Sequence, residues 1–303
     1  MEIITQVVPD DFNLFLFGDL HRGSVHFCQT SYNRFLNTFE SPFDGVSENY
    51  AVNQGDNIEA LATDDRRFDL TNADLTGWKA RESFIDAQIQ SAIDLLKPLG
   101  ERLVVVLKGN HEHTIERITN AGSRIASGLG VPYGTYSVVI NYVDKNGSLL
   151  FKHYATHGRK QLSSIADDPV RQRANMELQL KRAVKSKFGD TLLNSMGHAH
   201  KIITAKPRPQ LYLTTGEDIE QRYTKPRKRT GYIEPNHKWY ACTGSFLRTF
   251  VLGVDGYAER AGYDPVELGC VVAKIRDREI VDLVELPLSH NEITETEEAW
   301  VAA

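Results

Sequence analysis

Five short polar segments of this chain carry side chains that bind divalent metals well. They are Gly18-Asp19-Leu20-His21, Gly55-Asp56-Asn57, Gly109-Asn110-His111-Glu112, Thr156-His157-Gly158 and Gly197-His198-Ala199-His200. Carboxylate, amide and imidazole groups occur together in them without a thiolate, and this ligand set suits Mn²⁺, Fe, Zn²⁺ or Mg²⁺. Two such cations held close together can hydrolyse phosphoesters. The chemistry that these residue types indicate is therefore metal-dependent hydrolysis.

Each of the five segments begins where an apolar run ends. This pattern predicts strands that stop at a Gly or a Thr and present Asp, Asn or His in the loop just beyond. An α/β sheet builds its binding sites at that edge. One such tripeptide would be weak evidence, because a single His at a strand end is usually only hydrogen-bonded. Five in series favour a metal site over a set of ordinary polar loops.

The order of these motifs resembles the calcineurin-like metallophosphoesterase superfamily. The resemblance runs from about residue 12 to residue 200, or to Gly244-Ser245 if the closing strands are counted. The paired ending at His198 and His200 is similar to the phosphodiesterase and DNA-repair nuclease branches. The chain departs from the protein Ser/Thr phosphatases, because the residues after Asp56 lack the Arg that grips phosphate in those enzymes.

The resemblance implies two cations that share one carboxylate. The first would be bound by Asp19, His21, Asp56 and His200, and the second by Asp56, Asn110, His157 and His198, with Asp56 as the bridge. It also implies hydrolysis of a P–O bond by a hydroxide shared between the cations. Mn²⁺ is the favoured metal, with Fe, Zn²⁺ and Mg²⁺ as alternatives.

Two further histidines leave alternatives open. His111 follows a ligand without being counted as one. It could protonate the leaving alkoxide or bind a phosphate oxygen as imidazolium, and we expect the former. The alternative is a hydrogen bond to Glu112 or to a neighbouring loop. His153 competes with His157 for the fourth motif, because a spacing of four puts both on one side of a strand. We prefer His157, which lies at the strand end, and expect His153 either to pack in the core or to support a ligand.

The elements that must position these residues follow from hydrophobic periodicity. We predict strands over 12–17, 50–53, 103–107, 136–143, 148–155, 192–196, 202–204, 239–243 and 246–252, and a hairpin over 269–286. We predict helices over 25–39, 81–97, 113–127 and 169–187. Mixed βαβ units followed by hairpins indicate an α/β protein with two sheets packed face to face. The resemblance implies the same fold class, a four-layer α/β/β/α sandwich of two mixed sheets.

Length and composition predict a single domain. The chain has 303 residues, of which 41% are hydrophobic. We predict one metallophosphoesterase domain over 1–290, with insertions at about 59–80 and 205–235, and an acidic, disordered tail over 291–303. No apolar run approaches the roughly 18 residues of a membrane span, and the three cysteines have no motif spacing. We expect a cytoplasmic protein with reduced thiols.

The net charge of −5 conceals a basic middle. Residues 152–229 contain 17 Lys and Arg against 7 Asp and Glu, a net charge of +10, which leaves −15 for the rest. Cations next to aromatic rings suit a single-stranded nucleic acid, although charge runs are usually solvated surface. The candidate substrate-binding residues are Arg222, Lys225, Arg227, Lys228 and Arg229.

Three functions are consistent with these observations. The first is a phosphodiesterase acting on DNA or RNA, as a nuclease would, and the basic middle favours it. The second is a hydrolase of a small phosphoester such as a cyclic nucleotide, a nucleotide conjugate or a phosphomonoester. The third is a non-catalytic metal-binding scaffold, which the intact ligand set disfavours.

Overall fold

The computed structural model describes residues 1–60, 84–224, 231–254 and 257–289. Within them lie thirteen strands: β1 (Glu2–Val7), β2 (Phe12–Phe17), β3 (Asn49–Asn53), β4 (Leu103–Val106), β5 (Ser137–Val143), β6 (Leu149–Thr156), β7 (Leu193–Met196), β8 (Ile202–Ala205), β9 (Leu211–Thr215), β10 (Ile219–Tyr223), β11 (Trp239–Thr243), β12 (Gly269–Arg276) and β13 (Glu279–Pro287). The α-helices are α1 (Gln29–Glu40), α2 (Phe84–Leu96), α3 (Asn110–Thr114), α4 (Ala121–Leu129), α5 (Pro169–Val184) and α6 (Tyr257–Arg260), and 3-10 turns span Lys97–Arg102 and Pro235–His237.

Eleven of these strands form two mixed sheets. The six-stranded sheet has the order β1-β5-β6-β7-β11-β8, and the five-stranded sheet has the order β13-β12-β2-β3-β4. Three neighbouring strands run parallel in each, namely β6, β7 and β11 in the first and β2, β3 and β4 in the second. All six residues of β2 are buried, as expected of a strand covered on both faces. Strands β9 and β10 form a separate hairpin.

The two sheets pack face to face. Leu14 and Leu16 of β2 meet Ile140, Ala155 and Leu193 of the other sheet in one apolar layer. Because side chains alternate along a strand, the intervening residues of β2 point the opposite way, towards the helices α1, α2 and α4. Helix α5 covers the outer face of the six-stranded sheet. The predicted class, an α/β protein with two mixed sheets, is confirmed.

Helix α1 shows how the sequence produces the outer layer. Tyr32, Phe35 and Phe39 recur at helical spacing and are fully buried. The ring of Phe17 lies 4.7 Å from that of Phe35, and the ring of Phe15 meets Phe39 edge to face at 5.4 Å. Burial of such rings is among the largest apolar contributions that a side chain can make, so this stripe holds the helix on the sheet.

The structure corrects two predicted elements. The predicted helix over 113–127 is wrong, because the chain forms α3 and then restarts at Asn120, whose side chain accepts a hydrogen bond from the Ser123 amide at 3.0 Å and caps α4. The predicted strand over 246–252 is also wrong. The Phe246 amide donates to the carbonyl of Asp19 at 3.0 Å instead of entering a sheet. The sequence reasoning missed β1, β9 and β10.

Several calls lie outside what the structure describes or go untested by it. Apart from Glu59 and Ala60, the predicted insertion over 59–80 lies outside the described residues, as does the tail over 291–303. None of the helices within the described ranges combines the length and hydropathy that a bilayer span requires.

Candidate metal centre

The seven expected ligands come together at one edge of the sandwich. Asp19 and His21 follow β2, Asp56 follows β3 and Asn110 follows β4, all in the five-stranded sheet. In the six-stranded sheet, His157 follows β6, and His198 and His200 follow β7. The carboxyl ends of parallel strands lie on the same edge of a sheet. In this structure those edges of the two sheets lie next to each other.

One cluster consists of Asp19, His21 and His200. Their ligand atoms lie within 4.8 Å of one another. Nε2 of His200 lies 3.2 Å from Oδ1 of Asp19 and 3.3 Å from Nε2 of His21. Burial alone would raise the pKa of Asp19, but the nearby imidazoles of His200 and His157 outweigh it and lower that pKa. The carboxylate is therefore held ionised, as a metal ligand must be.

A second cluster consists of Asp56, His157 and His198, again with ligand atoms within 4.8 Å of one another. The amide oxygen of Asn110 lies 2.9 Å from Nε2 of His157 and 2.7 Å from Nδ1 of His198. Burial would lower the pKa of His157, but the Asp56 carboxylate raises it to about 9. Metal binding at Nε2 would therefore displace a proton.

Asp56 connects the two clusters. Its Oδ2 atom lies 3.3 Å from Nε2 of His157 in the second cluster and 3.8 Å from Nε2 of His21 in the first. That oxygen is buried and accepts no hydrogen bond from the described residues, and a buried acceptor without a partner is costly. A cation on either side would satisfy it, so the donor set fits two metal ions that share this carboxylate.

The backbone of the centre is strained at the ligands themselves. Ten non-glycine residues in the described ranges have a positive φ, and five of them are expected ligands: Asp19, His21, Asp56, His198 and His200, with φ between 49° and 68°. Residues other than glycine rarely adopt this backbone conformation, and those that do concentrate at functional sites. Glycine would adopt it with less strain at these five positions, so the presence of Asp and His there favours a role for their side chains.

The glycines of the motifs are required by close backbone packing. Gly55 has a φ of +91°, and a Cβ atom there would lie 2.6 Å from the amide nitrogen of Gly109. A Cβ atom on Gly109 would overlap the carboxylate of Asp56. Glu112 fastens the same two loops, because it accepts hydrogen bonds from the amides of Asn57 at 2.6 Å and Gly109 at 2.8 Å.

His111 lies at the rim of the centre. Its amide donates to Oδ1 of Asp56 at 2.9 Å, and its ring meets that of His21 edge to face at 4.5 Å. Nδ1 donates to the carbonyl oxygen of Glu59 at 2.9 Å. Glu112 binds backbone amides, so the alternative bond of His111 lies with a neighbouring loop. With Nδ1 in this contact, Nε2 is the nitrogen that we expect to exchange a proton with a substrate.

Glu59 is a site residue that the sequence reasoning missed. Its Oε2 accepts a hydrogen bond from Nδ1 of His21 at 2.9 Å, and its Oε1 lies 3.5 Å from Nδ1 of His111. A carboxylate on Nδ1 fixes the tautomer that leaves Nε2 available to a metal. Its signal in the sequence is an acidic residue three positions after Asp56, at the start of the predicted insertion.

Replacing Glu59 with Gln should weaken metal binding by about 10- to 100-fold, because the lost charge no longer orients His21 or raises its basicity. Titration of the metal-free protein with Mn²⁺ measures this directly. Glu48→Gln serves as the control, because it makes the same change at an exposed residue just before β3. Unchanged affinity in Glu59→Gln would show that the carboxylate does not support His21.

His153 lies below the centre and outside both clusters. It is fully buried, with Nε2 2.7 Å from Oγ of Ser195. The Gln54 side chain also donates to Ser195, and the Gln54 carbonyl accepts from Nδ1 of His157 at 2.8 Å. His153 thus belongs to a buried polar network beneath His157, which is the supporting role expected for it as an alternative to packing.

The same residue predicts an acid-sensitive stability. Burial lowers the pKa of His153 to about 3, against about 6.5 in an unfolded chain. Between these values the unfolded state binds one more proton, so stability should fall as the pH falls, by about 1.4 kcal/mol per pH unit from this group. Urea unfolding from pH 7.5 to 4 should show a shallower slope for His153→Gln, with equal slopes above pH 7.5. Parallel slopes throughout would contradict this.

Of the five candidate substrate-binding residues, the structure describes Arg222. Strand β8 begins beside His200 and runs antiparallel to β11, so the described residues 206–224 follow the end of β8 that points away from His200. Arg222 lies there in β10, where its Nε donates to Glu220 at 2.8 Å. Lys225, Arg227, Lys228 and Arg229 lie outside the described residues.

Comparison with known proteins adds no assignment to this geometry. No protein-family model matches the chain, and no curated protein matches it.

Proposed function

We propose that this chain is a dinuclear metal-dependent phosphoesterase of the calcineurin-like metallophosphoesterase superfamily, acting on phosphodiesters. The observation that carries the proposal is the pair of Asp/His clusters on either side of Oδ2 of Asp56. Asp19, His21, Asp56 and His200 would hold one cation, and Asp56, Asn110, His157 and His198 the other. Mn²⁺ is the metal that we propose, and the ligand types suit Fe, Zn²⁺ or Mg²⁺ as well.

Bound cations would neutralise phosphate charge and acidify a water molecule. The residues of the chain would orient the metal ligands and donate a proton. Hydrogen bonds at Nδ1 from His21 to Glu59 and from His157 to Gln54 hold both imidazoles with Nε2 turned inward. His111 lies beside both clusters and would donate a proton from Nε2 to the leaving oxygen. The Glu59 carboxylate, 3.5 Å from Nδ1 of His111, would stabilise the charged imidazolium.

Two substrate classes remain for such a diesterase. A nucleic acid would need several cations along its path to the centre, and the one candidate that the structure describes, Arg222, is paired with Glu220. A small phosphodiester would need fewer such contacts. A substrate screen distinguishes the two classes.

Metal reconstitution tests the proposal. Chelator-treated protein should bind two Mn²⁺ per chain, measured by elemental analysis, and should regain hydrolysis of bis(p-nitrophenyl) phosphate in proportion. Hydrolysis of p-nitrophenyl phosphate should stay low, because no Arg follows Asp56. A screen across cyclic nucleotides, DNA and RNA then assigns the substrate class. A protein that binds no metal, or whose activity is insensitive to the chelator, would contradict the proposal and favour a scaffold.

A further inference from the structure

The β9–β10 hairpin projects from the molecule with little support. Its strands pair antiparallel in the register Leu211↔Tyr223, Leu213↔Gln221 and Thr215↔Ile219. Every side chain except that of Thr214 is exposed, and neither strand packs substantially against another element of the described residues. At its base, Thr224 exchanges hydrogen bonds with Gln210. A lone two-stranded hairpin is marginally stable in water, so this one gains from a covering surface.

The two faces of the hairpin differ in chemistry. Alternation along the strands puts Leu211, Leu213, Ile219 and Tyr223 on one face, where 54–67% of each residue is exposed. The other face carries Tyr212, Thr214 and the ion pair of Arg222 with Glu220. The remaining charged residues of the hairpin, Glu217 and Asp218, lie in its turn. The first face is therefore apolar and carries no charged side chain.

The charge of the hairpin argues against a nucleic acid as its partner. Residues 210–224 contain three acidic residues and one Arg, a net charge of −2. The one cation within the hairpin, Arg222, is paired with Glu220, so the hairpin itself offers few of the phosphate contacts that supply most non-specific nucleic-acid affinity. An apolar protein surface suits this face better.

We propose that this apolar face is a self-association surface, on which the same face of a second copy of the chain packs across a two-fold axis. A two-fold interface places a patch against itself, and a face without charged side chains does so without opposing like charges. With Thr215 and Gln221 included, the exposed area of these residues is at most about 600 Å² per copy, so a pair buries less than about 1,200 Å², in the range of weak and transient complexes.

The dimer is independent of the proposed function. The hairpin emerges from the edge of the six-stranded sheet opposite His198 and His200, so neither copy covers the metal centre of the other. The affinity expected of an interface this small is on the order of micromolar. Activity per chain should be the same for monomer and dimer.

Sedimentation velocity of the full chain between 1 and 100 μM tests the proposal with a matched pair of variants. Leu213→Lys and Thr214→Lys add the same charge at neighbouring positions on opposite faces. Leu213→Lys should raise the dimer dissociation constant roughly 100-fold, because it places a charge in the centre of the interface, and Thr214→Lys should change it by no more than about twofold. A protein that is monomeric at 100 μM, or a dimer that Leu213→Lys leaves intact, would overturn the proposal.

Disulfide trapping supplies a second readout. The native Cys28, Cys242 and Cys270 are all buried, so an introduced surface thiol reacts against a low background. Under a mild oxidant, Leu213→Cys should form a disulfide-linked dimer and Thr214→Cys should not, because only the first faces its copy. Equal cross-linking of the two variants would count against the assigned face.

Discussion

Replacing Asp56 with Asn should remove both cations and reduce diester hydrolysis by roughly 1,000-fold or more, because metal-ion catalysis contributes several kcal/mol. Oδ2 of Asp56 lies within 3.3 Å of His157 and 3.8 Å of His21, so one change affects both clusters. A neutral amide keeps the shape of the side chain but offers each cation a weaker ligand. Elemental analysis and kcat/KM on the same preparation measure the two losses together.

Asp94→Asn is the control for this variant, since Asp94 is exposed on α2 and accepts a hydrogen bond from Gln90 at 2.8 Å. It should leave metal content and rate unchanged. Retention of two metals by Asp56→Asn would exclude the bridging role, whatever happened to the rate.

His111→Gln should keep both cations and lose about 100- to 10,000-fold in kcat, the usual contribution of general acid catalysis. The side chain belongs to neither the Asp19 nor the Asp56 cluster, although it forms a third group of possible ligands with His21 and Glu59. Its backbone amide, which binds Asp56, is retained. The loss should be smaller for a nitrophenyl ester than for an alkyl ester, because nitrophenolate leaves readily without protonation.

Metal counting separates this role from the competing one. Loss of metal in His111→Gln to the same extent as in Asp56→Asn would make His111 a ligand. An equal rate loss for nitrophenyl and alkyl esters would instead indicate that the imidazole binds a phosphate oxygen.

Much of the candidate centre could be predicted from sequence because its residues directly follow predicted strands. Asp19, Asp56 and His157 each follow a buried strand, and parallel strands bring such positions to one edge. The residues that hold the ligands in place were harder to predict. Glu59 contacts His21 across 38 positions, and its orientation depends on a backbone bond to the carbonyl of Arg22. A contact of this kind has no local pattern to reveal it.

The fold showed a similar limit. Strands β2 and β11 have the predicted bounds because their residues are mostly apolar and buried. The segment around Phe246 is also rich in apolar residues, yet its backbone bonds go to Asp19 and His26 instead of a sheet. The β9–β10 hairpin was missed because its side chains face solvent, so no buried face dictates its pattern.

Because the ligands come from both sheets, metal binding at the centre would also affect the stability of the fold. Side chains of His21 and His200, 3.3 Å apart in space, are 179 positions apart in the chain, and Asp56 and His157 pair in the same way across the sandwich. Under the proposed function, each cation would act as a non-covalent cross-link closing a very long loop, whose closure entropy grows only slowly with length. The metals would then tie the early and late halves of the chain together, so that loading and folding become one equilibrium.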